Sequence, residues 1–176
     1  MHFTIYSPSR TGSHLIAKNI QNKLNATVVQ LYRYEDKLDD SQSSNSICIR
    51  NRRRDTFSQT LSEVLNYIHN NHNRYTYQIL KPQNLDITLF RNLYIKNLKF
   101  FKDIDTSIFQ KTVDIYFEDV ISDPYYLFNQ LGYNIVTDYS LCQKSPYDYN
   151  SIVTNIPELK KIANRIDLLH KNNIKY

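Results

Sequence analysis

At 176 residues, 41% hydrophobic and 22% charged, the chain is long enough to bury the core of one domain and too apolar to be disordered. A formal charge of +5 suits an anionic ligand or partner; no apolar run approaches the ~18 residues of a membrane span, and MHFTIYSPSR lacks the charged-then-apolar layout of a secretory signal. A cytoplasmic protein is therefore expected, and since neither the two cysteines, Cys48 and Cys142, nor the five histidines follow a metal-ligand spacing, no metal is expected.

His2 to Tyr6 alternates apolar and polar residues and stops at Ser7-Pro8, which predicts a strand and a turn. From Ser13 to Leu24, the residues Leu15, Ile16, Ile20 and Leu24 recur at helical spacing, with Ser13 as cap or in the first turn. ATVVQLYRY, Ala26 to Tyr34, predicts a second strand, followed by a polar loop or short helix, EDKLDDSQSSNS. Ile47 to Arg50 predicts a third, short buried strand. Asp55 to Asn70 reads as a helix with Phe57, Leu61, Val64, Leu65 and Ile68 on one face; Asp86 to Ile104 reads as a longer amphipathic one. Val113 to Asp119 predicts a fourth strand, Asp123-Pro124 opens a helix that Gly132 caps, and Pro157 to His170 predicts the last helix. Strands alternating with helices imply a short parallel sheet in a three-layer α/β/α fold, residues 1–176 forming one domain. Ligands of such sheets bind beyond the carboxyl ends of the strands, which puts the turns after Tyr6 and Arg50 on one edge.

YSPSRTGSHL, Tyr6 to Leu15, holds one of only two glycines in the chain. A strand, then Ser-Arg-Thr-Gly-Ser-His, then a helix is the layout of a phosphate loop: the first helical N–H groups face outward and the helix dipole favours an anion. Gly12 would let the backbone approach a phosphate closely, while Arg10 and the hydroxyls of Thr11 and Ser13 add contacts. The loop lacks the G-x-x-x-x-G-K-[ST] spacing of nucleoside triphosphatases, and a plain strand-to-helix turn, with glycine relieving strain, competes with the phosphate explanation. The second motif is CIRNRRRDTFSQTLS. Such a run can be a solvated basic cluster or a nucleic-acid patch. Here Arg50 emerges from an apolar strand and Ser58 lies eight positions on, inside the next helix, so the two can close on one phosphate.

Together the motifs resemble the sulfotransferases that use 3′-phosphoadenosine 5′-phosphosulfate (PAPS) as donor, with R-[ST]-G-[ST] after the first strand and R-N-x-R-x-x-x-x-S after a later one. The resemblance implies that Arg10, Thr11, Gly12, Ser13 and His14 hold the 5′-phosphosulfate and that Arg50 and Ser58 hold the 3′-phosphate. IYFEDVISDPYYLFNQLG looks like the family's Tyr-Glu-Asp-Leu strand, Asp-Pro and helix. QKSPYDYNSIVTNIPELK resembles the C-terminal stretch that closes over the nucleotide, where Lys144 would take part of the role of an absent R-K-G loop. The resemblance runs from Ile5 to about Leu159. It departs from the family at Arg52, where proline is usual, and in the roughly 35 residues between the motifs, a short interval that leaves little room for an acceptor-binding insert.

The chemistry so implied is in-line sulfuryl transfer, helped mainly by positioning and by stabilisation of developing charge. Arg10 would stabilise the bridging and equatorial oxygens. Glu35, after the second strand, is the first candidate base and His14 the second; Glu118 and Asp119 are expected to hold neighbouring loops, and His69 and His72 to be exposed. The expected partner is a sulfate acceptor of unspecified class, with nucleic acid not expected. Two other functions draw on the same residues: a P-loop nucleotide-binding protein or kinase, and a non-enzymatic module binding nucleic acid through Arg50 to Arg54.

Overall fold

Phe3, Thr4, Ile5 and Tyr6 are all buried, so strand β1 (His2–Tyr6) is covered on both faces and must lie inside a sheet. In the computed structural model, which describes residues 1–32, 44–68, 81–102, 104–141 and 148–174, β1 pairs in parallel with β2 (Thr27–Leu31) on one side and β3 (Ser46–Arg52) on the other. β4 (Lys111–Tyr116) extends the sheet beyond β3, giving the order β2-β1-β3-β4. The class is α/β, with an all-parallel sheet flanked by helices, as expected for the α/β/α arrangement. The chain leaves β1 to one side to make β2 and returns on the other to make β3. The carboxyl ends of β1 and β3 therefore flank the point where strand order reverses, the ligand crevice of open parallel sheets.

The chain divides into two compact units, Met1–Arg54 with Phe100–Gln143, and Asp55–Lys99 with Lys144–Tyr176. The first holds the sheet. On one face Phe3, Ile5, Ile49, Val113 and Ile115 pack with Leu15, Ile16 and Ile20 of helix α1 (Ser13–Leu24). On the other, Tyr6, Leu31 and Cys48 meet Phe100 and Phe109. Burial pushes the Cys48 thiol up to about 12, so it stays protonated and packs as a small apolar side chain.

The strand expected through Asp119 stops at Tyr116, and residues Phe117–Ser122 form a short helix, α4, after the sequence order α2 (Thr56–Ile68) and α3 (Ile87–Lys99). The two-residue period of Val113 and Ile115 gives way to the three-residue step from Phe117 to Val120, both packed against the α1 side of the sheet. Helix α5 (Tyr126–Leu131) ends at Gly132 in the left-handed conformation (φ 90°), as its position predicts. β2 is shorter than expected, and Arg33 and Tyr34 lie outside the described residues.

In the second unit, Asp55 and Asp86 cap α2 and α3 through the Ser58 and Leu89 amides, at 2.9 and 2.7 Å. The long amphipathic helix expected to reach Ile104 ends at Lys99, and Phe100 is buried under the sheet of the first unit. A four-residue helix, α6 (Tyr149–Ile152), precedes the last helix, α7 (Ile156–Lys171). Leu61, Val64 and Leu65 of α2 pack with Phe90 and Tyr94 of α3 and with Leu159, Ala163 and Ile166 of α7. No helix among the described residues is long and apolar enough to cross a membrane.

The Tyr94 hydroxyl donates to both carboxylate oxygens of Asp167, at 2.9 and 3.0 Å. Burial, then this bond, raises its pKa. Tyr94→Phe should cost about 1 to 2 kcal/mol in urea unfolding at neutral pH. Because the native phenol titrates above its unfolded value of about 10, its contribution is complete below that pH and falls as pH rises beyond it. The wild type should therefore lose stability above about pH 10 more steeply than Tyr94→Phe, as parallel urea titrations would show.

Candidate functional site

The turn that leaves β1 closes on itself before α1 begins. Ser7 and Thr11 are fully buried, and their hydroxyls hydrogen-bond each other. The Ser7 amide donates to the Leu31 carbonyl at 3.1 Å, and the Thr11 hydroxyl donates to the Pro8 carbonyl at 2.8 Å. Asn51, at the end of β3 and also fully buried, completes the closure. Its Nδ2 donates to the Thr11 carbonyl at 2.9 Å and to the Ser7 and Thr11 hydroxyl oxygens at 3.1 Å each. The carbonyl can only accept, which fixes the orientation of the Asn51 amide. Thr11, expected from sequence to touch phosphate, here turns its hydroxyl into the loop.

Gly12 caps α1 with φ 74°, a left-handed conformation that L side chains rarely adopt. A Cβ on Gly12 would also overlap the Phe117 ring. The scarce glycine thus meets two local demands, backbone hand and aromatic packing, before any ligand is considered. Arg10 is left-handed too, at φ 65°, although it carries a Cβ. The amides of Gly12, Ser13 and His14 find no acceptor among the described residues, the usual state of a helix start. The first turn of α1 carries no acidic residue, so nothing on it opposes an anion. Ser13 donates to the Tyr32 hydroxyl at 3.4 Å, and Tyr32 in turn to Gln30 at 2.7 Å. His14 Nε2 is buried without a partner among the described residues.

β3 sends its arginines out along an acidic edge of β4 and α4. Arg50, in register with Asp114, pairs with its carboxylate, and Arg52 reaches the same carboxylate at 3.2 Å. One carboxylate between two guanidiniums leaves a net positive charge at this strand end. Arg50 Nε is buried without a partner among the described residues. Alternation along β3 puts Arg50 on the Cys48 face, opposite the face from which Asn51 reaches the loop.

Arg53 donates to Glu118 at 3.4 Å and, through Nη1, to the Arg10 carbonyl at 3.2 Å. Arg54 clasps Asp119 with both terminal nitrogens at 2.5 and 2.7 Å, and its amide donates to Glu118 at 3.2 Å. Glu118 and Asp119 thus hold the exit of β3, the role expected for them. The bond from Arg54 lowers the pKa of Asp119. Aromatic faces back the row: Arg52 stands over Phe101, Arg53 over Phe117 and Arg54 over Tyr116, at 4.5, 5.5 and 4.4 Å.

No protein-family model matches the chain, and no curated protein matches it significantly.

Of the residues expected to bind or react, Arg10, Thr11, Gly12, Ser13 and His14 form one loop and helix start, and Arg50 stands at the end of the adjacent strand. Ser58 belongs to the second unit, in the first turn of α2. Glu35 and Lys144 lie outside the described residues, as do His69 and His72. Asn51 and Phe117 were missed, and Arg53 was read only as part of the basic run, without its hold on the loop. Asn51 had a signal in sequence, a polar residue ending a buried strand; Phe117 had none.

Gly12→Ala should cost about 2 kcal/mol or more, from left-handed strain and the clash with Phe117. In a Phe117→Ala background the same change should cost only about 1 to 2 kcal/mol, because the strain remains and the clash is gone. Chemical denaturation of the four proteins in this cycle measures the difference.

Proposed function

We propose that the chain is a PAPS-dependent sulfotransferase that transfers a sulfuryl group to a hydroxyl or amine acceptor. The observation that carries this proposal is a helix start whose first three amides find no acceptor among the described residues, beside a strand-end arginine, both at the point where strand order reverses. Open amides at a helix start suit a phosphosulfate, and the charge left by two arginines on one carboxylate suits a second phosphate. Arg50 would share or exchange its Asp114 partner on binding. A cytoplasmic setting belongs to the same proposal.

In the proposed reaction the acceptor atom attacks sulfur in line, and the bond from sulfur to the bridging phosphate oxygen breaks. Adenosine 3′,5′-bisphosphate leaves, and the acceptor proton passes to a base. Arg10 and the amides of Gly12 to His14 would bear the charge that develops on the transferring group. An always-protonated guanidinium suits that task and cannot serve as an acid. Glu35 is proposed as the base from its sequence position, with His14 second because its Nε2 is unpartnered among the described residues.

The kinase alternative lacks support in the loop, which contains no lysine to reach the β- and γ-phosphates. Against a nucleic-acid module stands the pairing of Arg50, Arg52, Arg53 and Arg54 with Asp114, Glu118 and Asp119. Arg53 and Arg54, each with its own carboxylate, offer little free charge to a polyanion, and the excess at Asp114 is one charge, enough for a single phosphate rather than a nucleic-acid track.

Calorimetric titration should show adenosine 3′,5′-bisphosphate binding in preference to adenosine 5′-phosphate and ATP. Arg50→Ala should weaken that binding about tenfold or more, while Glu35→Ala spares it and slows transfer. Equal binding of ATP would favour the kinase alternative. Binding of none would turn attention to nucleic acid, with its steep salt dependence.

A further inference from the structure

We propose that Arg53 is a positioning residue for the β1–α1 loop: by holding the Arg10 carbonyl it sets the direction in which the Gly12, Ser13 and His14 amides face. Its guanidinium is anchored on α4, by Glu118 through Nε at 3.4 Å and by the Phe117 face at 5.5 Å. From there Nη1 reaches the Arg10 carbonyl at 3.2 Å. Arg10 is a left-handed residue with a Cβ, a conformation that persists only where its surroundings hold it. The ring behind Arg53 is also the ring that fills the space beside Gly12. Phe117 and Glu118 are consecutive, so one turn of α4 grips both sides of the loop.

Asn51 fixes the next residue, Thr11, from inside. The loop is therefore pinned on either side of the peptide that leads into the open amides. The geometry calls for arginine in particular. A guanidinium can donate in two directions from one rigid plane while stacking on a ring, whereas a lysine ammonium is a single point charge on a flexible stem. The hold on the loop stands on these contacts; only its consequence for binding rests on the anion-binding role proposed above.

The chain's two glycines, Gly12 and Gly132, make the test direct. Glycine-selective 15N labelling gives two amide signals, one in the loop and one at the end of α5. Spectra of wild type, Arg53→Gln and Arg53→Lys would be recorded free and with adenosine 3′,5′-bisphosphate. In free Arg53→Gln the Gly12 signal should be displaced or broadened while that of Gly132 stays, with Arg53→Lys intermediate. Affinity for the bisphosphate should fall about tenfold in Arg53→Gln. A Gly12 signal unchanged in free Arg53→Gln would overturn the proposal. If wild-type Gly12 ignores the nucleotide, the anion-binding role fails alone, and the free spectra still decide the part played by Arg53. Should Arg53→Gln lose the native Gly132 signal, Glu118→Ala replaces it, since that change removes the acceptor that anchors Nε and leaves the guanidinium. A smaller shift of Gly12 in that variant supports the proposal, and no shift overturns it.

Discussion

A single buried amide, that of Asn51, holds the exit of the central strand to its neighbour. Its two Nδ2 hydrogens are shared among the Thr11 carbonyl and two hydroxyl oxygens that are sealed from water. Removing that donor would strand the Thr11 carbonyl at a cost of about 1 to 3 kcal/mol before any change in packing. Everything proposed for the loop depends on this closure. The turn is tied down on the α1 face of the sheet, so the start of α1 is held where strand order reverses.

The arginines that follow Asn51 serve both stability and the proposed binding. Each pairs with an acid on β4 or α4 and is backed by a ring, so the row stitches the exit of β3 to the exit of β4. Exposed pairs of this kind contribute little individually. Their value lies in geometry: they fix where positive charge stands relative to the open amides. The imbalance at Asp114, one carboxylate for two guanidiniums, is where a further anion would be most welcome.

Much of the first unit was legible in the sequence because local signals agreed. A strand broken by Ser7-Pro8, followed by the helical spacing of Leu15, Ile16 and Ile20, fixed β1, its turn and α1. What could not be read depends on residues distant in the chain. Phe117 explains Gly12, yet nothing near Gly12 announces it. Asp114 opposes Arg50 through parallel register, which sequence alternation cannot supply. The end of β4 was missed because Tyr116, Phe117 and Glu118 continue an alternating pattern that only packing of Phe117 and Val120 interrupts. Of the three passages between units, those at Arg54–Asp55 and Lys99–Phe100 carry no glycine or proline to mark them; only the third, at Gln143–Lys144, has a proline nearby, Pro146.

A crystal structure of the chain with adenosine 3′,5′-bisphosphate tests the central claim most directly. It should show the 5′-phosphate on the amides of Gly12, Ser13 and His14, and the 3′-phosphate against Arg50. A bisphosphate bound away from the β1–α1 loop, or with neither phosphate on those groups, would contradict the assignment of this loop as the nucleotide grip.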